Sequence, residues 1–473
     1  MSAAATQRGW TRLHLTPHVT GRARRRLHPA TVMPVAAPPH AGGFRRSYPR
    51  NVETWSLLGG WFPVTVQVVA GGVLLVAVGW RDRWWRWRVL PVIVGVTVIL
   101  AVLAAYPGAK AVRQVDPVPF LVWFWLGATV GALLVLVVGW RSARWWRRGT
   151  ALVAVGLAAF AGANGINQFV GYYPTLGAAF SDWTHKPLPG ETSLPGAVRA
   201  AGAAHVPAAG KLVAVDIPAT YSHFKHRQEL VYLPPIWFVG HRRPTLPVVE
   251  LVGGERGGPG DWVRLGNAIQ VADAYAHLHR GYAPILVFAD ATGHFDNDTE
   301  CVNGPRGNAA DHLAKDIPKY VEKTFGASSN PQQWAVGGFS MGGTCALDLV
   351  VEYPHVFNHF VDVSGDLAPY TGTPAQTLQD LYGGNVAVQH ANEALRVMRA
   401  HGRYTNVTGL FLTSTEEVRH QHQAQELSRA AAAVGIKSLV EITPGTHTWQ
   451  FAAPAFGNAF PWLVDQLTHR APA

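Results

Sequence analysis

The sequence predicts two architectures in one chain: an N-terminal bundle of four transmembrane α-helices built from two repeated hairpins, and a C-terminal α/β domain with a mostly parallel sheet. Three observations predict this. Four long stretches (54–80, 89–109, 117–140 and 149–181) carry no charged residue. The charge divides sharply: residues 1–180 hold 19 Lys and Arg against 3 acids, net +16, and residues 181–473 hold 21 against 26, net −5. From about residue 211, short apolar runs alternate with helical periodicity, the pattern of strands buried between helices.

At 473 residues the chain exceeds one compact core. Apolar residues make up 48% and charged residues 15%, which excludes a disordered or collagen-like protein. Two Cys exclude a disulfide-dense scaffold and a four-cysteine zinc site. The overall charge of +11 belongs entirely to the N-terminal part. A nucleic-acid binder is expected to carry its basic patch on a folded domain. Here that domain is mildly acidic, so no nucleic-acid partner is expected.

Residues 1–53 read as a disordered basic tail, because Arg, Pro and Ala recur there without periodicity. Residues 1–50 hold nine Arg and no acid, and a start at Met33 would remove six of the nine. No apolar core precedes a small-residue cleavage site, so no cleaved signal peptide is expected.

Residues 54–181 hold the four spans. A spanning helix needs about 20 apolar residues, and the first three stretches meet that directly. The fourth is apolar through Ala163 and then carries Asn164, Asn167 and Gln168. A repeat of about 60 residues runs through the region. The segment 75–86 ends Gly79-Trp80-Arg81 … Arg83-Trp84-Trp85-Arg86, and 136–147 ends Gly139-Trp140-Arg141 … Arg144-Trp145-Trp146-Arg147. Each copy reads as a helical hairpin whose turn carries Trp and Arg. Trp favours the headgroup level, Arg on short loops marks the cytoplasmic face, and Arg attracts anionic headgroups. Both turns are therefore expected in the cytoplasm, with the loop 110–116 and residues 182–473 outside. That makes a multi-pass plasma-membrane protein with an extracytoplasmic C-terminal domain. The amides of the fourth span are expected either to help a lipid headgroup reach the site or to pack between helices.

Residues 182–210, rich in Pro and Gly, read as a linker or ordered arm. The α/β domain follows over 211–473. Strands are expected at 211–219, 229–234, 247–252, 284–289, 334–338, 360–363, 409–413 and 438–442, with helices over 311–325, from 341 to about 352, and over 416–434.

Between the strand at 334–338 and the helix after it stands Gly338-Phe339-Ser340-Met341-Gly342. This is G-x-S-x-G in a strand–turn–helix context, where the glycines permit a sharp turn that lifts the serine oxygen clear of the backbone. The following helix points its positive end at the site. A nucleophilic serine needs a base, and the base needs an orienting acid, in the chain order Ser, acid, His. His447 sits in a loop just after the last predicted strand and is the candidate base. Most of the other His residues after Ser340 lie in helical or polar stretches and are expected to be solvated. The acid belongs at the end of the strand 409–413, where Glu416 and Glu417 both stand; Glu417 is favoured, with Glu416 as the alternative. Asp362 and Asp366 follow an earlier strand and are weaker candidates. An oxyanion would need two backbone N–H donors. Met341 follows the serine and supplies one, and Gly254, in the turn after the strand 247–252, is the expected second.

These motifs resemble the esterase family that includes esterase D (S-formylglutathione hydrolase) and the antigen 85 mycolyltransferases of mycobacteria. The resemblance covers the C-terminal 260 or so residues. It is carried by Tyr232-Leu233-Pro234-Pro235 before Leu246-Pro247-Val248-Val249, by Gly338-Phe339-Ser340-Met341-Gly342-Gly343, and by Gly445-Thr446-His447-Thr448-Trp449, the last closest to the mycolyltransferase version. Four N-terminal helices joined to this domain resemble actinobacterial membrane esterases. The family implies an α/β-hydrolase fold, no metal and no organic cofactor. Two departures stand out. The turn after Val252 reads Gly-Gly-Glu-Arg-Gly-Gly where relatives carry His-Gly or Asp-Gly, and the acid segment reads Ser414-Thr415-Glu416-Glu417 where relatives often show Gly-x-x-Asp.

Cys301 and Cys345 are the only cysteines, one in the loop leading to the helix at 311–325 and the other about a turn beyond Ser340. They read either as a disulfide bracing the nucleophile's helix, which an outside location permits, or as two buried thiols. Asp290, Asp296, Asn297, Asp298 and Glu300 lack the spacing and central Gly of an EF-hand loop and read as a solvated acidic loop at the rim of the site. The expectation is a membrane-anchored serine esterase, or an acyltransferase of the mycolyltransferase type. It would act on lipid or other acyl esters of the cell envelope through an acyl-enzyme. The alternative is a binding or transport-associated membrane protein with a degenerate hydrolase domain.

Overall fold

The computed structural model describes residues 54–79, 82–111, 118–184, 187–188, 190–240 and 242–468. The basic tail, most of the loop 110–116 and the first Trp-Arg pair, 80–81, lie outside these residues. Four helices are long and apolar enough to cross a membrane: α1 (Trp61–Val78), α2 (Leu90–Ala111, entered through a π-turn at Trp85–Val89), α3 (Phe120–Gly139) and α4 (Trp145–Val170). Trp85, Val89, Ile93 and Val135 form one buried cluster among them. Ala70, Ala158 and Ala161 pack with Trp125, and Ala77, Ala132, Ala151 and Ala154 form another cluster. Small residues let helix backbones approach closely where lipid removes the hydrophobic driving force. At one end of this bundle the Arg147 guanidinium lies against Gly79, and Arg148 donates to the Trp140 carbonyl at 2.9 Å.

The other end is tied by the amides of α4. Asn164 donates to Leu57 O (3.1 Å) and Gln168 to Leu58 O (3.2 Å). Asn167 donates to Tyr173 O (2.9 Å) and accepts the Tyr173 N–H (2.6 Å). Ser56 and Thr175 form a β-bridge. Here the structure corrects the expected headgroup role: these amides satisfy backbone at the mouth of the bundle. The same bonds explain why α1 starts only at Trp61 and α4 stops at Val170, short of the apolar stretches read from sequence. Residues 54–60 and 171–175 pair with each other instead of continuing the helices.

The C-terminal part is an α/β domain around nine strands: β1 (Glu191–Thr192), β2 (Lys211–Val215), β3 (Glu229–Leu233), β4 (Val248–Val252), β5 (Ile285–Ala289), β6 (Trp334–Phe339), β7 (His359–Val363), β8 (Thr408–Ser414) and β9 (Lys437–Thr443). Their order is β1-β2-β3-β5-β4-β6-β7-β8-β9. Only the β2–β3 and β3–β5 pairs are antiparallel. The 182–210 arm contributes the edge strand β1, which sequence patterning could not show in two residues. One face of the sheet packs on α6 (Met341–Glu352), α7 (Val418–Ala433) and the helix Ile317–Phe325. The other packs on α5 (Ala268–Leu278) and α8 (Trp449–Thr468). Strands β3 to β7 are buried throughout because helices cover both sides, hence their unbroken apolar runs.

Candidate active site

Ser340 sits between β6 and α6 at φ 59°, ψ −121°, a conformation costly for a residue with a side chain. The glycines around it make the turn possible. A Cβ on Gly338 would lie 2.0 Å from Gly342 O, and one on Gly342 would lie 2.3 Å from Val252 O. The strand thus turns straight into the helix, and the hydroxyl is left projecting at the C-terminal edge of the parallel strands.

His447 enters from the loop after β9. Its Nε2 accepts the Ser340 hydroxyl at 2.9 Å, and its Nδ1–H donates to Glu417 Oε1 at 2.5 Å. Glu417 follows β8 and is buried, while Glu416 is exposed. The carboxylate of Glu417 takes four donors. Oε1 receives His447 and His420 Nδ1 (3.0 Å). Oε2 receives the Ser364 hydroxyl (2.8 Å) and the Ser414 N–H (3.1 Å). Burial would raise its pKa, but the hydrogen bonds from His420, His447 and Ser414, with the His447 charge, hold it well below the usual carboxylate range. Asp362 and Asp366 do not reach His447's outer nitrogen. Asp362 accepts the Gly365 N–H at 2.7 Å, and Asp366 pairs with Arg419 at 2.9 Å.

His420 is a residue that the sequence reading missed. It was expected to be solvated, yet it is buried and stacks on His447. The available signal was its position three residues after Glu417, one turn along the start of α7.

Met341 begins α6, and Gly254 lies where its Cβ would be 3.6 Å from Ser340 Cβ. Among the described residues neither N–H has a hydrogen-bond acceptor, leaving both available next to the serine. The loop carrying Gly254 is held by Arg227, whose Nη2 donates to Gly257 O (2.7 Å), Asp290 Oδ1 (2.6 Å) and Thr292 Oγ1 (2.6 Å). Burial would raise the Asp290 pKa, and the Arg227 hydrogen bonds and charge bring it below the ordinary value. Asp290, Thr299 and Glu300 are buried. The solvated-loop reading therefore fails for Asp290 and Glu300, because the chain folds back over them, while Asp296 remains exposed. Cys301 and Cys345 are joined by a disulfide, tying this loop to α6 behind Ser340.

Two groups bring imidazole and carboxylate atoms within 4.8 Å of one another: His226, Glu229 and His312, and Glu417, His420 and His447. In each group the two imidazoles stack nearly parallel, at 4.3 Å and 5.0 Å between centroids and 19° in both cases. An ion lies in the plane of each imidazole that binds it, so neither pair suits one metal. Both nitrogens of His226 are already against carbonyls, Arg227 O at 2.8 Å and Ile217 O at 2.7 Å.

A sequence profile of the family described as "Putative esterase" matches residues 225–463. A protein of Corynebacterium glutamicum described as uncharacterized is 28% identical over 424 residues, 85% of this chain and 95% of that one. That share is larger than residues 182–473 alone could supply, so the likeness runs into the helical part. Solved structures with similar folds include a ferulic acid esterase (18% identity, TM-score 0.46, 55% of this chain and 98% of that chain). FphF, a fluorophosphonate-binding serine hydrolase of Staphylococcus aureus, matches at 15% identity and TM-score 0.45 (54% and 99%). MPT51 of Mycobacterium tuberculosis matches at 17% and 0.41 (54% and 97%). With its profile matched over half its length, the chain belongs to this esterase family.

Proposed function

We propose that the protein is a membrane-anchored serine esterase or acyltransferase acting on lipid esters of the cell envelope. The observation that carries this reading is the continuous chain Ser340 Oγ–His447–Glu417, set in a strained strand-to-helix turn. Ser340 Oγ bonds to the ester carbonyl carbon as its proton passes to His447 Nε2. The N–H groups of Met341 and Gly254 receive the oxyanion. The carbon–oxygen bond to the leaving alcohol breaks, and His447 returns the proton to that oxygen. The acyl-Ser340 ester is then resolved by water, or by an acceptor hydroxyl in the transferase case, with His447 again taking the proton. Glu417 keeps the Nδ1–H of His447 pointing away from the serine, so that Nε2 is the basic nitrogen.

The lipid-ester assignment is supported by the four long apolar helices joined to the esterase domain. A cleft of about 490 Å³ lies between the end of α4 and the Gly254 loop. Tyr172, Leu188 and Phe295 give it apolar surface, and Arg227, Arg256 and Arg264 give it cationic groups. Ser340, His447 and Glu417 are not among the residues that line it.

The test is a membrane-impermeant fluorophosphonate applied to intact cells expressing the natural chain or Ser340→Ala. Labelling of the natural chain alone supports both the nucleophile and an outward-facing domain. Ser340-dependent labelling only after lysis retains the enzyme and reverses the orientation. Absence of Ser340-dependent labelling with folded protein in both preparations overturns the reading.

A further inference from the structure

Among the described residues, the helical part meets the esterase part at the end of α4. Helix α4 ends at Gly171 in a left-handed conformation (φ 78°), and a Cβ there would lie 2.2 Å from Gln450 Oε1, three residues beyond His447. The next residue, Tyr172, donates its hydroxyl to Asp261 Oδ1 at 3.1 Å. Asp261 is 4% exposed, and its Oδ2 accepts the Gly258 N–H at 3.0 Å. That oxygen fills the hollow of the glycine loop: a Cβ on Gly257 would lie 2.5 Å from it. Within the loop, Gly257 N–H donates to Gly254 O at 2.8 Å. Arg227 grips the same turn from the opposite side through Gly257 O. The segment presenting the Gly254 N–H is therefore clamped between Arg227 and Asp261, and Asp261 is in turn bonded by a residue one position past the end of an apolar helix.

We infer that Tyr172 is a positioning residue for Gly254: through Asp261 it sets the loop that supplies the second oxyanion donor, making the fourth apolar helix a working part of the esterase site. This rests on the reading of Ser340 as nucleophile and of Gly254 as donor. An N–H is useful only within hydrogen-bond reach of where the oxyanion forms, and the whole donor is worth about 10²–10³ in rate. A loop loosened by one lost hydroxyl bond keeps the donor but places it less well.

The experiment uses the full chain in detergent with a short, water-soluble activated ester. Tyr172→Phe removes a single oxygen. The expected result is a fall in kcat of about tenfold, with KM within twofold and the melting temperature unchanged. Affinity for an alkylboronic acid, which takes up the tetrahedral geometry at the serine, should weaken by the same factor, whereas a purely structural role would leave it alone. Asp261→Ala supplies the second arm: Tyr172→Phe should add no further loss in that background. Unchanged kcat and boronate affinity in Tyr172→Phe, or effects of the two substitutions that simply multiply, overturn the inference while leaving the nucleophile reading intact. Hydrolysis that survives Ser340→Ala overturns both.

Discussion

The imidazoles of His420 and His447 lie parallel, 5.0 Å apart and 19° from coplanar, and both deliver an N–H to the same oxygen of Glu417. The second oxygen is occupied by Ser364 and Ser414. A carboxylate offers about four lone-pair sites, and here all are used, so the group is fixed in position as well as in charge. His420 is held in turn from outside, where its Nε2 lies 3.6 Å from Asp366 Oδ1 and 3.0 Å from Arg419 Nη2.

Removing that support should be felt in turnover more than in binding. His420→Leu is expected to lower kcat about tenfold with KM nearly unchanged, since an oriented general base contributes about 10²–10⁴ and one of four bonds on its orienting acid is lost. His420→Gln, which can still donate, should recover most of the loss. Steady-state kinetics on the short ester separates the two, and equal activity in all three proteins would show that the stacked ring is packing alone.

The two neighbouring acids give a sharper contrast. Glu417→Gln should cut kcat by about 10³–10⁴ because it removes the acceptor that selects the tautomer of His447. Glu416→Gln, at an exposed position, should stay within twofold. A large loss from Glu416→Gln with a small one from Glu417→Gln would reassign the acid.

Asp362 predicts a dependence on pH. It lies buried beneath the start of α6, and burial pushes its carboxyl up to about 7, against the opposing effect of the Gly365 N–H. A raised carboxyl pKa means the folded state holds the proton over a range where the unfolded chain has released it. Stability from this group is therefore full below the unfolded value of about 4 and declines as pH rises to about 7. Asp362→Asn, nearly isosteric, should remove the decline. Its unfolding free energy should gain on the natural protein between pH 4 and 7 and keep a constant lead above that, on the order of 2–4 kcal/mol. Parallel melting curves across pH would remove Asp362 as the source.

The amides of α4 predict a loss common to all substrates. Asn167→Ala deletes two bonds to the Tyr173 backbone and should cost on the order of 1–3 kcal/mol of stability. Because the effect is on the mouth of the bundle, turnover of a lipid ester and of a short soluble ester should fall together. Loss confined to the lipid ester would restore a headgroup role for this residue.

Much of this protein was legible from the chain alone. Length without charge identified the four long apolar helices, each long enough to cross a membrane. Gly338 and Gly342 announced the serine turn, because only glycine fits where a Cβ would meet a carbonyl. The position of His447 after the last strand followed from the chain order of such sites. The limits were those of local reasoning. Glu416 and Glu417 are equivalent in sequence, and only the closing of β8 against β7 turns Glu417 inward, where Ser364 meets it. Asp290 and Glu300 looked like surface acids because their cover comes from Arg227 and from distant loops. The bond from Tyr172 to Asp261 spans 89 residues, and no periodicity records it. Hydropathy and glycine placement act within a few residues of chain and are written there; burial of a charge and the meeting of two hydrogen-bonding groups depend on which segments fold together, and the tertiary structure decides them.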